Sequence, residues 1–160
     1  MLQIYQAKTD EDIAIARTLL NKYAAWLDSL GLFFPEEYDA FKAQLKNLPK
    51  GFEPPDGILL LAKYDNIPAG CVMLRKLSDD ICEMKRLFVT PEFRGLKIGK
   101  ALAQIVIEQA KKIGYQKMRL DTGTFMEQAA TLYKSMGFNE IPPYRYNPIE
   151  GTLYLELNLK

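Results

Sequence analysis

The chain has 160 residues, enough for one domain with a sizeable core and no covalent staples. Its 21 Lys and Arg against 20 Asp and Glu leave a formal net charge of +1, which excludes a global field able to steer it onto nucleic acid or an anionic membrane. No apolar stretch approaches a membrane span and the first residues lack the pattern of a signal peptide, so the expected protein is soluble and cytoplasmic, with neither nucleic acid nor membrane as partner.

Leu2 to Ala7 alternates weakly as a first strand, and Thr9-Asp10-Glu11-Asp12 is a capping box ahead of a helix. Ile13, Ala16, Leu19, Leu20, Tyr23, Ala24, Leu27 and Leu30 then recur at helical spacing, and Gly31 offers a stop. Pro35, Glu36 and Glu37 open a second helix, which carries Tyr38, Phe41 and Leu45 on one face and ends near Pro49. Residues 46–57, KNLPKGFEPPDG, form a loop too short to mark a domain boundary. Ile58 to Tyr64 and Ala69 to Leu74 read as a hairpin around Asp65-Asn66-Ile67-Pro68, and Ile81 to Val89 as a third strand. Ile98, Ala101, Leu102, Ile105, Val106 and Ile113 form a helical stripe that closes on Lys111, Lys112 and Gly114. A short strand from Met118 to Asp121 follows. Thr124-Phe125-Met126-Glu127 is a second capping box, opening a helix that runs to Met136 and Gly137. Leu153 to Leu159 alternates as a final strand. The expected class is a mixed α/β (α+β) sheet in which an antiparallel meander turns into a strand–helix–strand crossover.

Cys71 and Cys82 lie in apolar runs without metal-ligand spacing, so reduced core thiols and no metal are expected. The absence of histidine removes the commonest general base and leaves carboxylates, tyrosines, lysines and backbone groups for any chemistry. The stretch FVTPEFRGLKIGKAL, residues 88–102, breaks a strand at Pro91, passes Arg94-Gly95 and starts a helix. Such a loop presents unpaired backbone N–H groups to an anion. Gly99-Lys100-Ala101 lacks the magnesium-binding hydroxyl of a P-loop, and only Gly95 and Gly99 are present where a dinucleotide fingerprint needs three glycines.

Arg94-Gly95-Leu96-Lys97-Ile98-Gly99 resembles the Q/R-x-x-G-x-G/A signature of the GNAT acetyltransferase superfamily. The strand Glu83-Met84-Lys85-Arg86-Leu87-Phe88-Val89 precedes it, and Leu132-Tyr133-Lys134-Ser135-Met136-Gly137-Phe138 is similar to that family's L-Y-x-x-x-G-F box. The resemblance covers nearly the whole chain. Lys97 stands where the signature usually has glycine, and Met126 where an asparagine often precedes the tyrosine by seven residues.

The resemblance implies the acyl-CoA N-acyltransferase fold: a mostly antiparallel central sheet with one splayed parallel pair and helices on both faces. It also implies acetyl-CoA as donor and a primary amine of a small molecule or peptide as acceptor. The pyrophosphate would meet the backbone of Gly95, Leu96, Lys97, Ile98, Gly99 and Lys100, supplemented by the Arg94 and Lys100 side chains. Leu87, Phe88 and Val89 would carry the backbone groups for the acetyl carbonyl and pantetheine, with Thr122 or Thr124 in place of the missing asparagine. An amide aimed at the thioester oxygen stabilises the charge that develops there. Glu83 falls at the family's general base and Tyr133 at its general acid. The plainer alternatives are a salt bridge from Glu83 to Lys85 or Arg119, and Tyr133 as core. Cys82 as an acyl-carrying nucleophile is the weaker reading without a histidine to activate it. The family's acceptor groove points to Trp26, Phe33, Phe34, Tyr38, Tyr144, Arg145 and Tyr146, where Arg145 would hold a carboxylate; core or homodimer contacts are the alternative for the aromatics. Two other functions stay open: a non-catalytic acyl-CoA-binding module and a nucleotide-binding domain.

Overall fold

The computed structural model describes residues 1–123 and 126–160. Its strands are β1 (Leu2–Gln6), β2 (Ile58–Tyr64), β3 (Ile67–Lys76), β4 (Ile81–Val89), β5 (Lys117–Thr122), β6 (Asn139–Ile141) and β7 (Leu153–Asn158). Its helices are α1 (Asp10–Ser29), α2 (Pro35–Lys46), α3 (Ile98–Ile113) and α4 (Glu127–Ser135). The strands make one sheet in the order β1-β2-β3-β4-β5-β7-β6, antiparallel throughout except for the parallel pair β4 and β5. This is the expected mixed sheet with helices on both faces.

Period-two alternation divides the sheet's side chains between two cores. Leu60, Val72, Leu74, Met84 and Met118 pack against Leu102 and Val106 of α3 and Tyr133 of α4. Leu59, Leu61, Met73 and Phe88 pack against Leu19, Leu20 and Ala24 of α1 and Phe41 and Leu45 of α2. The uninterrupted run Ile58-Leu59-Leu60-Leu61 follows from burial of β2 on both faces. The box at Thr9 forms as written: its hydroxyl accepts from the Asp12 N–H, and the Asp12 carboxylate accepts from the Thr9 N–H.

Three local features differ from the sequence reading. The hairpin turn is the two-residue Asp65-Asn66, both in the left-handed region, and β3 therefore starts at Ile67. Pro68 sits inside β3 at a register shift opposite Lys63, before the ladder to β4 begins at Gly70, so its missing N–H breaks no bond there. The short strand β6 escapes detection because its three residues, Asn139-Glu140-Ile141, show too little pattern for a strand. Leu30 caps α1 and is 48% exposed rather than part of the core stripe.

The loop leaving β4 positions the candidate phosphate site. Pro91–Phe93 forms a single 3-10 turn, after which Gly95 (φ +87°) and Lys97 (φ +62°) both take left-handed conformations and α3 begins. Lys97 thus adopts a left-handed backbone that glycine takes freely, at a cost of about 1–2 kcal/mol for a residue with a Cβ. Replacing Lys97→Gly should raise stability by up to about 1 kcal/mol, after allowing for glycine's greater unfolded-state freedom, and lift Tm by about 2–4 °C. A lowered Tm in differential scanning calorimetry would show instead that the lysine side chain compensates for its strained backbone.

Candidate active site

The parallel ladder between β4 and β5 is three residues long, pairing Ile81 with Lys117, Cys82 with Met118 and Glu83 with Arg119. From Met84 onward β4 stays on β3 but has no ladder partner on its β5 side. Backbone groups that a continuous sheet would consume are thereby left to face a cleft. A bulge lies at the same place. Met73 pairs with Lys85 and Cys71 with Phe88, so one residue of β3 is spanned by two of β4, and Arg86 takes φ +58°.

The bulge resets which side chains face which core. Cys82 and Met84 belong to the α3 side, which puts Glu83 and Lys85 on the α1/α2 side. Strict alternation would send Arg86 back to α3. Instead its Nε donates to Gln44 Oε1 at 3.2 Å and its guanidinium lies 5.1 Å from the Phe41 ring centre, both on α2. Leu87 and Val89 then pack toward α3, and Phe88 packs toward α1.

The cleft so formed has a cavity volume of about 130 Å³. Tyr23 of α1, Phe33 and Phe34 of the α1–α2 link, and Glu37 and Phe41 of α2 form one wall. Lys85, Arg86 and Leu87 of β4, Asp121 and Thr122 of β5, and Tyr133 of α4 form the other, closed by Arg145 and Asn147 from the strap between β6 and β7. Asp121 ties that strap down, accepting from Arg145 at 2.7 Å and from Asn147 Nδ2 at 3.1 Å. Tyr133 is buried, and among the described residues its hydroxyl has no hydrogen-bond partner. Burial raises its pKa, so the phenol stays protonated at neutral pH and is a competent donor.

Glu83 is fully buried beside this cleft. Oε1 accepts from Arg75 Nε at 2.7 Å, and Oε2 accepts from the Tyr144 hydroxyl at 2.5 Å, with Lys85 Nζ 4.0 Å from Oε1. Arg119, an alternative partner in the sequence reading, pairs with Glu156 at 2.8 Å and lays its guanidinium over the Tyr144 ring. Burial and the neighbouring Glu83 charge push the Tyr144 phenol upward. Cys82 is buried and pushed up to about 12, chiefly by desolvation, so it is no thiolate nucleophile near neutrality.

At the far end of β4, Arg94 Nε donates to the Val89 carbonyl at 3.1 Å and its guanidinium lies 5.0 Å from the Trp26 ring centre. The start of α3 has no side-chain cap and no acidic residue in its first turn, while Lys97 and Lys100 flank it. The Ile98, Gly99 and Lys100 amides are thus orphan donors in a positive field, which fits a pyrophosphate. The Phe88 side chain lies in the α1-side core, leaving only its backbone for a ligand. Thr124 lies outside the described residues. Of the residues expected at the acceptor, Phe33, Phe34 and Arg145 line the cleft; Trp26 stands by Arg94, and Tyr144 binds Glu83. Tyr38 packs edge-on to Phe33 and donates to Asp28, and Tyr146 is 73% exposed, both away from the cleft lining. Sequence reasoning missed Lys85, Arg86 and Asp121 as site residues, although Asn147 lay in the stretch it assigned to the acceptor; only Lys85 and Arg86 fell in a motif, and alternation separated them onto opposite faces.

Lys85 carries the clearest electrostatic signature. Burial, then the charges of Arg86, Arg145 and Arg75, push its ammonium down to about 8, against a partial offset from Glu83. Between pH 8 and 10.5 the unfolded chain holds a proton here that the folded chain has released, so this group's contribution to stability rises with pH in that window and is flat below it. Relative to Lys85→Met, the wild type should gain up to roughly 3 kcal/mol of unfolding free energy across the window. Parallel pH profiles in urea would refute the assignment.

The family model for the Acetyltransferase (GNAT) family matches residues 23–138. An uncharacterised N-acetyltransferase of Schizosaccharomyces pombe is 35% identical over 160 residues, which cover 99% of this chain and 95% of that one. Among solved structures, a GNAT acetyltransferase of Staphylococcus aureus Mu50 aligns over 100% of both chains with a TM-score of 0.80 and 22% identity. The PaiA N-acetyltransferase of Thermoplasma acidophilum, solved with coenzyme A, aligns over 99% of each chain with a TM-score of 0.74 and 20% identity. The two structures speak for the fold, and the family match together with the full-length relative for the lineage: the chain belongs to the GNAT family and is an acyltransferase.

Proposed function

We propose that the protein moves the acetyl group of acetyl-CoA directly to a primary amine of a small molecule or peptide within a ternary complex. The supporting observation is the convergence of an unpaired stretch of β4, the uncapped start of α3 at its end, and the protonated Tyr133 hydroxyl in the cleft beside it. Acetyl-CoA supplies the activated acetyl thioester. Backbone groups from Gly95 to Lys100, with Arg94, Lys97 and Lys100 as cations, hold the pyrophosphate. The β4 backbone around Leu87 and Val89 receives the pantetheine and offers a donor to the carbonyl oxygen as charge develops on it.

An amine reaches this site as ammonium and must shed a proton before its nitrogen attacks. Glu83 serves as the base. Its carboxylate is covered, so the proton passes through the Tyr144 hydroxyl, which already donates to Oε2. As the C–N bond forms and the C–S bond breaks, Tyr133 gives its proton to the sulfur. The nitrogen gives its second proton to the Tyr133 phenolate and Glu83 releases the first to solvent, so ammonium and thioester yield amide, free thiol and one proton.

Two measurements test this reading. Acetyl-CoA or CoA at about a hundredfold excess over Kd should add about 2.7 kcal/mol of stability and raise Tm by several degrees, while ATP and NAD should not. Tyr133→Phe should lower kcat by about a hundredfold or more and leave acetyl-CoA affinity unchanged. A variant with full turnover would remove Tyr133 from the mechanism, and stabilisation by ATP or NAD would favour a nucleotide-binding domain instead.

A further inference from the structure

The cleft holds more cationic charge than its own carboxylates neutralise. Lys85, Arg86 and Arg145 line it with Glu37 and Asp121, three positive groups against two negative ones among the described residues, while Arg75 and Glu83 pair beside it. Arg145 is committed to Asp121, and Arg75 to Glu83. Lys85 has only a 4.0 Å approach to a Glu83 oxygen that Arg75 already occupies. Arg86 has no carboxylate within 4.0 Å among the described residues; the sole hydrogen-bond partner of its guanidinium there is the neutral Gln44.

That arrangement is costly as a purely structural one. A half-buried guanidinium loses hydration, and burial is the first cause that lowers the Arg86 pKa. Its backbone is also held at φ +58°, a conformation that strains a residue with a Cβ. The bulge that imposes this strain is what turns Arg86 from the α3 side to the cleft, next to Lys85. Phe41 and Gln44 fix the guanidinium from behind, which leaves further N–H donors for a ligand.

We propose that the acceptor is a small amine that also bears one carboxylate, an amino-acid-like molecule, and that Arg86 with Lys85 holds that carboxylate. The inference rests on the N-acetyltransferase reading above and names its substrate class. A single carboxylate matches the single surplus positive charge, and its planar pair of oxygens suits the guanidinium fork. Tyr23, Phe33 and Phe34 offer the acceptor's side chain an apolar wall.

The test uses alanine, β-alanine, leucine and phenylalanine, each against its carboxamide, with phenethylamine and an alkylamine as amines without the acid. Thiol release from acetyl-CoA is the readout. The free acids should show at least tenfold higher kcat/KM than their amides, mainly through KM. Arg86→Gln should abolish that preference, and Arg86→Lys should restore part of it; melting curves of both variants establish that they fold. Amides or simple amines acetylated as well as acids by the wild type would overturn the carboxylate site and leave the N-acetyltransferase reading standing. If no amine is acetylated, that reading fails, and the melting shift of the protein–CoA complex with acids against amides decides the carboxylate site separately. An acid-specific shift lost in Arg86→Gln supports it, and its absence overturns it.

Discussion

The three-residue ladder between β4 and β5 is the constraint on which the rest of the site depends. Parallel strands that stayed together past Glu83 would satisfy each other's backbone groups and close the sheet. Their separation leaves hydrogen-bonding backbone exposed inside a domain whose two cores otherwise bury it, and such groups need a partner. The helices hold the split open. α3 and α4 pack on one face and α1 and α2 on the other, so β4 is fixed through β3 and both cores, and β5 through β7.

The bulge at Arg86 is the second half of the same device. An extra residue bends and re-aims a strand locally, and here it changes the side-chain alternation in the middle of β4. Upstream, Glu83 and Lys85 face the cleft side; downstream, Leu87 and Val89 return to the α3 core. Arg86 is the residue in between, carried to the cleft by a left-handed backbone. One local irregularity thus frees the strand edge and concentrates charge beside it.

The polar groups around the cleft are joined in two clusters. Glu83 links Arg75 of β3 to Tyr144 of the strap, and Tyr144 in turn packs on Tyr154 and beneath Arg119. Asp121 at the end of β5 holds Arg145 and Asn147 of the same strap. A carboxylate withdrawn from water needs its lone pairs met, and buried Glu83 and partly buried Asp121 are each met by more than one donor. The strap is therefore part of the site's electrostatics, because removing it would leave both carboxylates short of donors.

Much of this was legible from residue order. Helical periodicity, the Thr9 box and the Gly31 and Gly114 stops delimit α1 and α3 because local propensity and capping agree there with the tertiary packing. The Gly95 loop was legible as a strand break and helix start for the same local reason, and the signature around it pointed to the family before any contact was known. Lys97 shows the limit of such reading: a residue that sterically disfavours a left-handed turn adopts one when its neighbours in the loop and α3 dictate it. The short ladder, the bulge, the Asp121 clamp and the pairing of Glu83 with Arg75 and Tyr144 were beyond it. They join residues 8 to 61 positions apart, and the strand-periodicity rule itself assigned Arg86 to the wrong face. The sequence alone determined the helices, every strand but β6, their order and the family, because these follow from interactions within a few residues; only the tertiary structure decided which charges share the cleft, because that depends on where two strands part.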